Sequence, residues 1–132
     1  MTIDDSLSHG LDLIRRDEYF AAHEVLEDAW RAAAPSEKAF FQGLVHVAVA
    51  WYQAGRGNRT GCTRQLEKAA RRLGPFAPEY RGVDVEAALA SLAKAGEVVE
   101  RDSLELPEPD VRRVCCSEPQ ARLEPPVVDG GA

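Results

Sequence analysis

The stretch Ser36–Arg56, SEKAFFQGLVHVAVAWYQAGR, decides the fold. At roughly 100° per residue, Phe40, Phe41, Leu44, Val45, Val47, Ala48, Val49, Ala50, Trp51 and Tyr52 run round nearly the whole circumference of a helix. One narrow polar stripe remains, made of Gln42, His46 and Gln53. A helix that is apolar on almost every side is covered by its neighbours, so this one reads as the central post of an all-α domain. The apolar run from Ala39 to Ala54 is interrupted by Gln42, Gly43, His46 and Gln53. It falls short of the ~20 residues that a bilayer span requires, so it reads as protein core.

Working outward towards the N-terminus, Pro35 closes a helix read over 18–33, EYFAAHEVLEDAWRAA. Tyr19, Ala22, Val25, Leu26, Ala29, Trp30 and Ala33 form its apolar arc, with His23 at the edge. Ahead of it, Leu7, Leu11 and Ile14 mark a short first helix over 4–16, with Asp4 or Asp5 as its N-cap. Ser36 is read as the N-cap of the central helix, and Gly55-Arg56-Gly57 as its left-handed exit. Towards the C-terminus, Asn58 or Thr60 caps a fourth helix that runs to Leu73 and buries Cys62, Leu66, Ala69, Ala70 and Leu73. The segment from Gly74 to Asp84 holds two prolines and two glycines, and reads as an ordered connector with Phe76 and Tyr80 folded back. Asp84 then caps a fifth helix, whose stripe is Val85, Leu89, Leu92 and Val99. Residues 105–132 hold five of the eight prolines and no helical period. They are read as a disordered, Pro-rich acidic tail. The expectation is a compact multihelical bundle of about five helices around 36–56, with a domain over 1–104.

The 132 residues suit one core. A net charge of −6, spread evenly along the chain, argues against nucleic acid and anionic membrane as partners. Three cysteines, Cys62, Cys115 and Cys116, make no disulfide framework. MTIDDSLSHG lacks the basic and apolar regions of a signal peptide. The compartment expected is the cytoplasm.

Phe20 and Glu27 are the informative misfits of the second helix, since both fall just past His23 on the far side of the arc from Val25. If Phe20 is buried, His23 and Glu27 lie inside the buried arc too. A buried carboxylate has to be paired or protonated, and His23 and Arg31, each four residues away, are the local candidates for pairing. With Gln42 and His46 across the interface, the expectation is one buried polar cluster where the second and third helices meet.

The motifs YFAAHEVLEDAWR (Tyr19–Arg31), FFQGLVHVAVAWYQAGRGN (Phe40–Asn58) and PEYRGVDV (Pro78–Val85) resemble the domain-of-unknown-function family 309, a group of small, mostly bacterial, all-helical proteins. The resemblance covers about residues 5–100. It implies a compact multihelical fold and no established activity. Matched position by position, the family's recurrent polar residues fall on His23, Glu24, Glu27, Trp30, Arg31, Gln42 and Asn58. At position 46 the family usually has Gln, where this chain has His46.

His23 and Glu27, at i and i+4, have the spacing of two ligands to one cation. Glu27 stands where the second histidine of H-E-x-x-H would be, so a zinc-protease reading fails on its key ligand. No catalytic nucleophile is visible: Ser36, Thr60 and Thr63 sit at helix starts, and Cys62 sits on an apolar face. Arg64, Lys68, Arg71 and Arg72 form a basic face that could meet phosphate, but without interleaved aromatics it reads as solvated surface. The function expected is therefore a non-enzymatic helical interaction or small-ligand-binding module, compatible with self-association and implying no cofactor. Its cluster is His23, Glu24, Glu27, Trp30, Arg31, Gln42 and His46. The alternative is a metal-dependent or acid/base enzyme using His23 and Glu27.

Overall fold

Apolar residues at helical spacing produce five helices in a computed structural model that describes residues 2–114. They are α1 (Ile3–Arg15), α2 (Tyr19–Ala32), α3 (Lys38–Gly55), α4 (Arg59–Leu73) and α5 (Val85–Glu100). Each packs chiefly on its neighbours in the chain, giving an array with α3 between α2 and α4. The all-α expectation is met, and α3 is the post. Phe40, Phe41, Leu44, Ala48 and Ala50 are fully buried on it. Two glycines set the helix spacing. A Cβ on Gly10 of α1 would fall 2.6 Å from Leu26 of α2, and one on Gly43 of α3 would fall 2.6 Å from Leu73 of α4. No helix among the described residues is long and apolar enough to cross a membrane.

Local chemistry sets the ends. Thr2, rather than Asp4 or Asp5, caps α1, because its hydroxyl accepts the Asp5 N–H while the Asp5 carboxylate accepts the Thr2 N–H. Ser36 lies inside a 3₁₀ turn over Pro35–Glu37 and makes no cap hydrogen bond, so α3 starts at Lys38. Gly57 takes φ +75° after α3, a conformation that suits glycine. Asn58 then caps α4 through the Gly61 N–H, and Asp84 caps α5 through the Ala87 N–H.

The connector carries a 3₁₀ turn (Gly74–Phe76) and a small antiparallel hairpin of β1 (Glu79–Tyr80) and β2 (Val83–Asp84). Its two-residue loop, Arg81-Gly82, has φ positive at both positions, which matches the twist of the paired strands. Phe76 and Tyr80 fold back on Phe40, with ring centroids 5.5 and 4.9 Å away. The positive φ aims Arg81 at Glu37, whose carboxylate accepts from Nε at 2.6 Å and from Nη2 at 3.0 Å. Tyr80 donates to the same carboxylate, and Arg81 also reaches Asp4.

The domain does not end at residue 104, as the proline content led us to expect. Residues 105–114 form an irregular strap held by hydrogen bonds to its backbone and by buried Pro109 and Val111. The Trp51 indole donates to the Pro107 carbonyl at 3.0 Å, Arg15 donates to the Val111 carbonyl at 3.0 Å, and Val111 is buried. Arg113 bridges β2 at Val83, and its guanidinium reaches Ser8. Prolines lack an N–H but keep their carbonyl, so a Pro-rich strap can pack without helical periodicity. The expectations for residues 115–132, including Cys115 and Cys116, lie outside the described residues.

Candidate ligand cleft between the second and third helices

Three residues of α2 form a ladder at helical spacing. His23 Nε2 lies 3.5 Å from Glu27 Oε2, Glu27 Oε1 accepts from Arg31 at 3.2 Å, and Arg31 also donates to Asp28 at 2.8 Å. The ladder is not buried, because the Glu27 and Arg31 side chains are 34% and 60% exposed. Phe20 is the reason. It is 53% exposed, so it does not draw this side of α2 into the core.

The single buried cluster expected between α2 and α3 is therefore divided. His46 belongs to the other seam, where its Nδ1 lies 2.6 Å from Gln65 Oε1 of α4. Gln42 is half-buried on the same stripe as His46. Trp30 is half-buried under Lys38, whose ammonium donates to the Trp30 carbonyl and lies 5.4 Å from the ring centroid. Glu24 is exposed. Among the described residues, no group of three or more His, Cys, Asp or Glu side chains is placed to hold a metal ion.

His23 has a second face. Its Nδ1 is buried and has no hydrogen-bond partner. The ring lines a cavity of about 210 Å³ whose other walls are Phe20, Val49, Tyr52 and Gln53. Phe20 lies over the cavity edge, 5.8 Å from the His23 ring and 5.6 Å from Tyr52. On its far side is a second, more open hollow of about 680 Å³ reaching Tyr19, Trp51 and Arg56. Asn58, besides capping α4, donates to Gln53 Oε1 at 3.0 Å and so orients the Gln53 amide in the cavity wall. Arg56 stacks on Tyr52 and donates to its hydroxyl.

Val49 and Gln53 are absent from the expected site, and Tyr52 is read first as core, with a pocket wall as its alternative. The signal was present in Gln53, which continues the Gln42 and His46 stripe, but Tyr52 and Val49 read as core. Tyr19, at the mouth of the larger hollow, donates to Asp17 at 2.9 Å. Burial first, and then that hydrogen bond, push its phenol well above the usual range.

Fold and geometry together define an all-helical domain with an aromatic-walled cleft lined in part by a histidine whose Nδ1 is buried without a partner. Residues 7–65 match the family model described as Domain of unknown function (DUF309), which bears out the resemblance over that stretch. Over 68 residues the chain is 34% identical to the Uncharacterized protein YpuF of Bacillus subtilis (strain 168). That similarity takes in 51% of this chain and 37% of the relative, so the chain spans little more than a third of the relative's length.

Proposed function

We propose that the protein is a cytoplasmic, non-enzymatic binding module whose α2–α3 cleft takes a small, largely apolar ligand carrying one hydrogen-bonding group. One observation carries the reading: His23, whose buried Nδ1 has no hydrogen-bond partner, walls a cavity together with Phe20, Val49, Tyr52 and Gln53. A polar atom held out of water without a partner costs about 1–3 kcal/mol, and a ligand group that bonds to it recovers that cost. Apolar walls with a few placed polar atoms are the usual composition of a small-molecule site. Phe20, exposed between the two hollows, covers the ligand in the single chain or fills the equivalent hollow of a second copy.

The test is a titration of the full chain with indole, read from the His23 and Tyr52 ring signals by NMR. Saturable shifts of both rings are expected, and they should be lost in His23→Ala. Shifts confined to other faces, or none at millimolar indole, would refute the reading.

A second reading rests on the His23–Glu27 contact. A carboxylate beside Nε2 orients the ring, as a general base requires. A Glu27→Gln chain that binds indole normally but has lost turnover of a substrate would favour that reading.

A further inference from the structure

The basic face of α4 meets Gln42 and His46 of α3 at a seam whose residues do not line the cleft. Gln65, Lys68 and Arg72 stand at i, i+3 and i+7, on one face of α4. His46 Nδ1 pairs with Gln65 Oε1 at 2.6 Å. The Cβ of Arg72 passes 3.2 Å from where a Cβ on Gly43 would sit, one turn before His46. Two nitrogens in this seam, His46 Nε2 and Arg72 Nε, are buried without a hydrogen-bond partner. Among the described residues, Lys68, Arg71 and Arg72 form no salt bridge, unlike Arg16, Arg31, Arg59, Arg81 and Arg112. Buried nitrogens and unneutralised cations at one seam lack the same thing, an acceptor with negative charge.

We propose that the α3–α4 seam is an oxyanion site for a phosphate group, free or as a monoester, held by Arg72 Nε, His46 Nε2 and Lys68. Arg71 lies at its rim. A guanidinium presents planar, directed donors that match phosphate oxygens. Several oxygens on one centre can satisfy donors that arrive from two helices.

The chemistry at His46 follows from its partner. If Nδ1–H donates to Gln65 Oε1, a neutral ring leaves a lone pair on Nε2, and a proton taken up there turns it into a donor. Burial first, and then the charges of Lys68, Arg72 and Arg71, hold the imidazole below its usual range. The charges that act on it all come from α4. A bound dianion reverses their effect, so binding should bring a proton onto Nε2.

The experiment compares sodium phosphate, phenyl phosphate and sodium chloride at matched ionic strength on the full chain at neutral pH. Histidine ring nitrogens are followed by ¹⁵N NMR, alongside thermal melts. Phosphate should saturably move His46 Nε2 towards its protonated position and raise the melting midpoint above that in chloride, since a ligand of the folded state alone stabilises it. Tighter binding of phenyl phosphate would identify the monoester as the ligand form, and equal binding the free anion. Arg72→Gln should weaken binding at least tenfold, while Arg64→Gln, outside the seam, should leave it unchanged. His46→Gln, which installs the residue usual at this position in the resembling family, should fold and bind more weakly. If Arg72→Gln does not fold, Lys68→Gln serves in its place, with at least threefold weaker binding expected. A His46 response no larger with phosphate than with chloride, or variants that bind like the parent, would overturn the proposal.

Discussion

Glu37 carries more of the fold's polar wiring than its place in a three-residue turn suggests. It accepts from Tyr80 and twice from Arg81, and its side chain is only 17% exposed. The Arg81 hydrogen bonds, ahead of the opposing effect of desolvation, hold its carboxyl below the ordinary range. A carboxylate whose folded pKa is depressed adds stability above its unfolded value of 4.5, lost as pH falls through the lower folded value. Glu37→Gln should therefore destabilise the domain by about 1–2 kcal/mol at neutral pH, a buried-pair loss discounted for partial exposure. That difference should shrink below pH 4.5, as urea melts at several pH values would show. Glu27→Ala should cost less, about 0.5–1 kcal/mol, because its ladder is solvated; a loss near 3 kcal/mol would mean that the ladder is buried by a partner.

The same residues show what could be read beforehand. Helical spacing identifies which side chains share a face, so the His23, Glu27 and Arg31 ladder was legible. It does not say whether the rim of that face is covered, and Phe20 inverted the inference by staying exposed. Periodicity also cannot tell which neighbour a fully apolar helix turns each residue towards. Hence His46 was assigned to the α2 interface when it belongs to α4.

Among the elements, helix spacing is controlled by two glycines rather than by large side chains. Gly10→Ala should destabilise by about 1–3 kcal/mol, the usual cost of overpacking, because the Leu26 side chain that the new methyl meets is fully buried. Gly55→Ala meets nothing within 4 Å at the end of α3, and should be neutral or stabilising by up to about 0.5–1 kcal/mol through helix propensity. Chemical denaturation of the two variants gives the comparison. Most helix limits were legible to within two residues because caps and breakers are local. The Pro35 turn was missed because the deciding partner of Glu37, Arg81, is 44 residues away.

For the molecule as a whole, the boundary that matters is between residues 104 and 114. A chain ending at 104 loses buried Val111 and the bonds that Pro107 and Val111 accept from Trp51 and Arg15. It should be less stable than a chain ending at 114 by about 2–4 kcal/mol, the scale of one buried aliphatic side chain plus two hydrogen bonds. Equal midpoints in parallel thermal melts would show that the strap adds nothing. The strap was illegible because carbonyl acceptors and one buried valine leave no periodic pattern.

Strap contacts also impose an order on biosynthesis. Arg15 and Ser8 leave the ribosome first, yet their bonds wait for Val111 and Arg113. Until then the nascent bundle exposes the apolar surface that Val111 will cover. Arrested chains should thus resist protease only once Arg113 has emerged, with residues 105–114 acting as a latch on a domain already assembled behind them.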